Sequence, residues 1–132
     1  MGNFKLNFLE KLKELDKLKL PKGSFAITGS GPLAIRNIRE AQDIDIMVKK
    51  NLWDELCKKY TPYDEKHMKI GYIEIWKDFI NLTPKMNEII DTAEIIEGYP
   101  FVSLKDTLLW KEFLNRKKDK KDILKIRNLV KT

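Results

Sequence analysis

Residues 24–48 read SFAITGSGPLAIRNIREAQDIDIMV. The apolar run at residues 24–28 predicts a short buried strand, because a glycine-rich turn bounds it at once. Gly29-Ser30-Gly31 is that turn, and Pro32 suits the first turn of a helix that we expect to extend to about Ile38. Glycine allows the backbone to approach a ligand closely, and free N–H groups at a helix start bind anions such as phosphate.

The end of this stretch, residues 43–48, alternates between polar and apolar side chains. Alternation of period two predicts a strand with Asp43 and Asp45 on one face and a core-facing set, Ile44, Ile46 and Val48, on the other. Two carboxylates on a rigid strand are oxygen ligands of the kind that Mg²⁺ requires. The same pattern also fits an ordinary half-exposed strand with its polar residues in water.

A third carboxylate, Glu74, lies midway along a predicted strand at residues 69–76, on the face opposite its isoleucines. Tyr72 or Trp76, on the same face, could stack a nucleobase. Phosphoryl and nucleotidyl transfer need charge neutralisation and in-line positioning more than covalent chemistry, and metal ions stabilise the attacking and leaving oxygens. Three acids beside a phosphate-binding turn supply those parts.

The rest of the chain predicts helices and strands in mixed order. Helices are expected at residues 4–18, 51–60, 86–92, 103–114 and after Asp119, and a small extended piece with a turn at residues 95–102. We therefore expect an α+β fold, a small mixed sheet flanked by helices with a helical C-terminal end. Residues 1–132 form a single domain in this interpretation, with an N-terminal helical segment at 1–20 and a C-terminal helical pair at 103–132.

Length and composition fit one folded domain. Of the 132 residues, 42% are apolar and 35% are charged, which argues against intrinsic disorder. No apolar run approaches the roughly 18 residues of a membrane span, and charged residues interrupt the N-terminal segment, so we expect no membrane association and no signal peptide. The single cysteine, Cys57, excludes an internal disulfide and is expected in the core of a cytoplasmic protein.

The charge balance is basic, with 26 Lys and Arg against 20 Asp and Glu and a net charge of +6. Such a charge favours polyanions or phosphorylated ligands by long-range attraction. A lysine-coated soluble surface explains the same balance without any site. A plain nucleic-acid-binding module is a further alternative, and it predicts steep salt dependence without a metal requirement.

Residues 25–48 resemble the nucleotidyltransferase (polymerase-beta-like) superfamily, whose pattern is a strand, Gly-Gly or Gly-Ser, a helix, about a dozen residues, and then acid-apolar-acid-apolar on the next strand. A later part is similar to the small stand-alone AbiEii-like nucleotidyltransferases: GYPFVSLKD at residues 98–106, then Lys111, then RKKDKKDI at residues 116–123. The resemblance covers residues 24–127. Alanine at position 41 and glutamate as the third acid depart from the commoner residues.

The resemblance implies a Mg²⁺-dependent or Mn²⁺-dependent nucleotidyltransferase, which moves a nucleoside monophosphate from an NTP such as ATP to a hydroxyl acceptor. It assigns metal binding and catalysis to Asp43, Asp45 and Glu74, with Glu74 either as third ligand or as base. It assigns nucleotide binding to Gly29, Ser30, Arg39 and Lys111. The acceptor would be RNA such as tRNA, or a protein, and the narrower resemblance implies a toxin with an antitoxin partner. The alternative is a catalytically inactive protein of this fold that binds nucleotide or nucleic acid.

Some of these residues also have simpler structural explanations. Asp119 fits the N-cap of the last helix and Asp122 its positively polarised first turn, an explanation we prefer to a site role. Lys111 could be a solvated helix lysine, and Arg39 could pair with surface acids. His67 is expected at a loop or strand edge rather than as a ligand.

Overall fold

The computed structural model describes residues 3–78 and 84–130 of the chain. The helices are α1 (Phe4–Asp16), α2 (Gly31–Ala34), α3 (Lys50–Cys57), α4 (Met86–Asp91), α5 (Leu104–Leu114) and α6 (Lys120–Val130), with a 3₁₀ turn at Lys117–Asp119. The strands are β1 (Phe25–Thr28), β2 (Ile44–Val48), β3 (His67–Ile70), β4 (Ile73–Trp76), β5 (Glu94–Ile96) and β6 (Tyr99–Phe101). The predicted α+β class with a helical C-terminal end is confirmed.

Predictions that involve residues 1–2, 79–83 and 131–132 lie outside the described residues. Within the described ranges, no helix is both long and apolar enough to cross a membrane.

The six strands form one mixed sheet in the order β3-β4-β2-β1-β6-β5. Central β2 pairs antiparallel with β1 and parallel with β4, and β1 pairs parallel with β6. The hairpins β3–β4 and β5–β6 form the two edges. Because β1 lies beside β6, the helices that follow β6 return to the end of the sheet where β1 ends.

Alternation along β2 sends its side chains to two separate cores. Ile44, Ile46 and Val48 pack on one face in a cluster that includes residues of α1 and α3. Met47 lies on the other face with a smaller cluster that includes three residues of α4, Met86, Ile89 and Ile90. The sheet is therefore covered by helices on both faces, and β1 is buried along its whole length, which explains its continuous apolar sequence.

The prediction of one strand over residues 69–76 is wrong, because a tight hairpin interrupts it. Gly71 adopts φ +60, and the turn at Gly71-Tyr72 joins β3 to β4. Tyr72 therefore lies in the turn and is 59% exposed. The apolar alternation hid the turn because a two-residue loop preserves the period of two. The hairpin puts His67 opposite Trp76 and Lys69 opposite Glu74.

The helix expected to reach about Ile38 ends at Ala34. Asn37 takes φ +62, and the N–H of Ile38 donates to the carbonyl of Leu33 at 2.9 Å. A left-handed residue with such a backward hydrogen bond is a usual helix terminator. The helix after Gly29-Ser30 is therefore a single turn.

Two other predictions have opposite outcomes. Cys57 is exposed rather than in the core, because the buried stripe of α3 is Leu52, Trp53 and Leu56 and Cys57 lies about 90° from its centre. The capping arrangement at the start of α5 is confirmed, since the Ser103 hydroxyl accepts a hydrogen bond from the N–H of Asp106 at 3.1 Å.

Candidate functional site

A row of polar side chains crosses three adjacent strands near one end of the sheet. Thr28 of β1 pairs with Asp45 of β2, and Asp45 pairs with Glu74 of β4. Residues in register on adjacent strands point to the same face, so the side chains of Asp45 and Glu74 leave the sheet side by side. Asp43 is exposed and immediately precedes β2. The three acids predicted from the sequence therefore lie near the same end of the sheet.

The turn after β1 lies directly against Asp45. Gly29 adopts φ +67, and a Cβ added there would stand 2.6 Å from Oδ2 of Asp45. Only glycine accepts both this backbone conformation and this close approach. On the other side, Trp76 Nε1 donates to Oδ1 of Asp45 at 3.1 Å. One carboxylate oxygen is thus held by the indole, and the other faces the Gly29 turn.

Burial raises the pKa of Asp45 above its usual value of 3.8. The hydrogen bond from Trp76 acts in the opposite direction, while the negative charges of Glu74 and Asp43 raise the pKa further. Neighbouring carboxylates repel a third negative charge in the same way at many functional sites. A cation bound between these acids would relieve that repulsion.

Glu74 has a partner that the sequence did not reveal. Its Oε1 lies 3.1 Å from Nε2 of His67, and the two side chains are 18% and 14% exposed. The His67 ring stacks on the indole of Trp76, with centroids 3.9 Å apart and planes 5° apart. His67 begins the edge strand β3, as its predicted position implied, but its contacts tie Glu74 and Trp76 together.

The acids do not form a preformed metal cage. Among residues 3–78 and 84–130, no group of three or more His, Cys, Asp or Glu side chains could hold a metal ion. Mg²⁺ in nucleotide sites is usually held by one or two carboxylates together with substrate phosphates and water. Asp45, whose Oδ2 faces the glycine turn, and the neighbouring Asp43 fit that open type of site.

Opposite the sheet, the helices α5 and α6 contribute a buried group of charges. Lys111 is 4% exposed, so its interpretation as a solvated helix lysine is wrong. Its Nζ lies 3.3 Å from Oδ2 of Asp122 and 3.7 Å from Oδ1 of Asp119. Both aspartates are also buried, at 4% and 1% exposure. Buried charges of this kind persist only when they are paired.

The preferred capping explanation for these aspartates holds only in part. Asp119 accepts a hydrogen bond from the N–H of Arg116 at 3.1 Å and so caps the 3₁₀ turn rather than α6. Burial by itself raises the pKa of Asp119, but the bonds and charges of Arg116 and Lys111 outweigh it and lower the pKa below 3.8. Asp122 lies in the first turn of α6, as expected. Both carboxylates do more than cap, because each also pairs with side chains from outside its own helix turn.

Two arginines complete this group. Arg39 donates from Nη1 to Oδ2 of Asp122 at 2.7 Å. The partner of Arg39 is thus a buried acid, not a surface one as the simpler explanation held. Arg116 donates from Nε and Nη2 to the two oxygens of Asp119 at 2.7 and 3.0 Å. Such forked pairs are among the strongest charge-assisted contacts in proteins.

A cleft of about 460 Å³ lies between this end of the sheet and the C-terminal helical region, α5 and the 3₁₀ turn. Five basic and three acidic side chains line it within the described part of the chain, together with two tryptophans, Trp76 and Trp110. Gly29, Ser30, Asp45, Arg39 and Lys111 all line it, whereas Asp43 and Glu74 are not among its described lining residues. The volume falls in the range of small-molecule sites.

The short helix α2 is a poor binding site for phosphate. Because α2 is one turn long and has Pro32 near its start, it offers few free N–H groups, so a helix-terminus anion site is not supported. The cleft instead presents basic side chains to an anion. Arg116, Trp110 and His67 are the lining or supporting residues that sequence reasoning missed. For Arg116, the available signal was its position three residues before Asp119, with which it pairs.

No protein-family model matches the chain, and no curated protein shows significant similarity to it.

Proposed function

We propose that this protein is a Mg²⁺-dependent nucleotidyltransferase, which binds an NTP and transfers its nucleoside monophosphate to a hydroxyl acceptor. The observation that carries the proposal is the contact between the Gly29 turn and Asp45 inside a cleft with a basic wall. That contact joins the two halves of the resemblance, the glycine-serine turn and the acid-apolar-acid strand, in one place.

In the proposed reaction the acceptor oxygen attacks the α-phosphorus, the bond from that phosphorus to the β-phosphate bridging oxygen breaks, and pyrophosphate leaves. Asp45 and Asp43 would hold Mg²⁺ together with the phosphates, and the ion would neutralise phosphate charge when bound. Glu74 would be either a third ligand or the base that accepts the proton of the acceptor hydroxyl, and its position beside Asp45 and against His67 supports the proposal. Trp76 and Trp110, which line the cleft, would offer apolar surface for the nucleobase.

The acceptor, the partner and the cellular setting rest on the resemblance alone. The proposed acceptor is a hydroxyl group of RNA such as tRNA or of a protein. The proposed partner is an antitoxin, and the proposed setting is the cytoplasm. The net charge of +6 suits an RNA acceptor.

A second function is favoured by one observation. Since the described residues contain no three-member metal group and Glu74 is engaged by His67, a protein of this fold that binds nucleotide without turnover fits the same cleft. Pyrophosphate release from a bound NTP, measured once with bulk RNA and once with bulk cell protein as acceptor, separates the two functions, because a non-catalytic protein releases none with either.

The first test is a thermal-shift titration with each NTP, with and without Mg²⁺. A ligand at a hundredfold excess over its Kd adds about 2.7 kcal/mol of stability, which raises the Tm of a chain this size by on the order of 10 °C. We expect this shift for the wild type, with a strong dependence on Mg²⁺, and its loss in Asp45→Asn. Asp43→Asn is expected to weaken the Mg²⁺ dependence.

The matched control is Asp54→Asn, which removes an exposed aspartate paired with Lys50 on α3. It should keep the full nucleotide shift. A wild type that no NTP stabilises, or an Asp45→Asn variant with an unchanged Mg²⁺-dependent shift, would rule out the proposed site.

A further inference from the structure

Each of the two cleft arginines uses only part of its guanidinium group in hydrogen bonds to the protein. Arg39 donates from Nη1 to Asp122 and from Nε to the carbonyl of Glu40. Arg116 donates from Nε and Nη2 to Asp119. The two side chains are 40% and 45% exposed, and both line the cleft. A guanidinium carries five N–H donors in a fixed fork. Each arginine therefore keeps donors for a ligand while an aspartate fixes its orientation.

Lys111 occupies a different position in this group. Its ammonium contacts both carboxylates, and although the residue lines the cleft it is only 4% exposed. Asp119 and Asp122 each pair with Lys111 and with one arginine, so the lysine balances the charge of both. Removal of its charge would leave two buried carboxylates to draw the arginines inward.

The charge of the group points to the chemistry of the ligand. Three cations face two anions, which leaves one positive charge in excess beside the cleft. The arginines come from different parts of the chain, the α2–β2 connection and the start of the 3₁₀ turn. Two forks at separate positions suit an anion with several phosphate groups rather than a single one.

We propose that Arg39 and Arg116 form a clamp for the terminal phosphates of a polyphosphate tail, and that Lys111 is a positioning residue that acts through Asp119 and Asp122. This inference rests on the proposed function only for the nucleoside at the other end of the tail. It moves the phosphate contact from Lys111 to an arginine pair, of which Arg116 is the new member.

The test is a calorimetric titration of the wild type, Arg39→Gln and Arg116→Gln with AMP, ADP, ATP and inorganic tripolyphosphate. Wild-type affinity should rise with the number of phosphates. Each variant should weaken ATP and tripolyphosphate by about tenfold or more, as expected for loss of a charge-assisted contact, and leave AMP unchanged. A merely structural role would weaken AMP and ATP by the same factor. Arg127→Gln, which removes an arginine paired with Glu112 outside the cleft, is the matched control.

Lys111→Met separates positioning from direct contact. It is added to a variant in which Arg39→Gln and Arg116→Gln are combined with Asp119→Asn and Asp122→Asn, so that no buried carboxylate is left unpaired. In this background it should cause no further loss of ATP affinity, because its effect passes through the arginines. A further tenfold loss would instead show a lysine–phosphate contact and overturn the positioning role. The arginine variants decide the clamp by themselves, because both side chains are substantially exposed and Lys111 still pairs with Asp119 and Asp122 in each variant.

The outcomes separate this inference from the proposed function. If tripolyphosphate binds through the arginines, and the protein neither prefers NTP over tripolyphosphate nor responds to Mg²⁺, the clamp is supported and the nucleotidyltransferase function is ruled out. If an NTP binds with Mg²⁺ but the arginine variants lose affinity for AMP and ATP by the same factor, the enzyme function is supported and the clamp is ruled out. Absence of binding by every phosphate compound overturns the clamp.

Discussion

At the scale of single residues, Gly29 carries two independent constraints. Its φ of +67 lies in the left-handed region, and a Cβ there would stand 2.6 Å from Oδ2 of Asp45. The first constraint concerns the backbone alone, and the second concerns a carboxylate that the proposed function needs. A substitution at this position therefore reports on fold and site together.

Gly29→Ala is expected to lower the free energy of unfolding by about 1–3 kcal/mol, because a left-handed alanine is strained and its methyl group displaces Asp45. The nucleotide shift should disappear at the same time. Urea denaturation and the thermal-shift titration measure the two effects. Gly71→Ala is the control, since Gly71 has a similar φ of +60 and nothing within 4 Å of its added Cβ. Equal destabilisation in the two variants would contradict a contact with Asp45.

At the scale of elements, a buried ion group joins α5, the 3₁₀ turn, α6 and the α2–β2 connection. Lys111 comes from α5, Asp119 from the 3₁₀ turn and Asp122 from the start of α6. Arg39 comes from the connection between α2 and β2. These elements contribute polar groups where apolar packing would serve stability better. The arrangement therefore suits a wall that presents charge to a ligand.

Lys111→Met is expected to lower the free energy of unfolding by roughly 3–5 kcal/mol, because it leaves two buried carboxylates without their shared cation. The double variant Lys111→Met/Asp122→Asn should recover part of that loss. Lys105→Met, at an exposed position of the same helix, controls for helix propensity. Full additivity of the two substitutions in chemical denaturation would show that the charges do not interact.

At the scale of the whole molecule, strand order brings the site together. β2 occupies the middle of the sheet, and the parallel pairing of β1 with β6 carries the C-terminal helices to the end of β1. The cleft thus combines residues that are as distant in sequence as Thr28 and Asp119. A half-buried carboxylate near other acids is the part of this assembly that works against the stability of the whole fold.

Asp45→Asn should raise the free energy of unfolding near neutral pH, because the raised pKa of Asp45 means that ionisation destabilises the folded state. The contribution of the protonated group is fully present below 3.8 and is lost as pH rises through the folded-state pKa. The gain over the wild type should therefore shrink as the pH falls toward 3.8. Asn retains an oxygen for Trp76, so the hydrogen bond does not confound the comparison.

Asp119→Asn provides the opposite sign. Its lowered pKa means that the ionised group stabilises the fold above 3.8 and that this stabilisation disappears at lower pH. Chemical denaturation across this pH range measures both variants. A stability difference between Asp45→Asn and the wild type that stays constant with pH would contradict the burial of Asp45.

Local patterns were sufficient for most of the elements. The alternation at β2, the apolar run at β1 and the Ser103 cap of α5 each depend on neighbours in the chain, and the structure has all three. The hairpin within residues 69–76 escaped prediction because its turn preserves the alternation, and the short α2 because Asn37 ends it with a backbone conformation that many sequences tolerate. The three carboxylates and the glycine-serine turn could be named as candidates for the same local reason.

By itself the sequence determined the α+β class, the strand that carries Asp45, with Asp43 directly before it, and the requirement for a turn at Gly29. Periodicity and turn chemistry act over a few residues, which is why a local pattern was sufficient. The tertiary structure alone decided that Lys111 is buried between two aspartates, that Arg116 faces the cleft, and that His67 holds Glu74. Those contacts join residues far apart in the chain, and their energies depend on burial and on the pairing of charges, which no local pattern encodes.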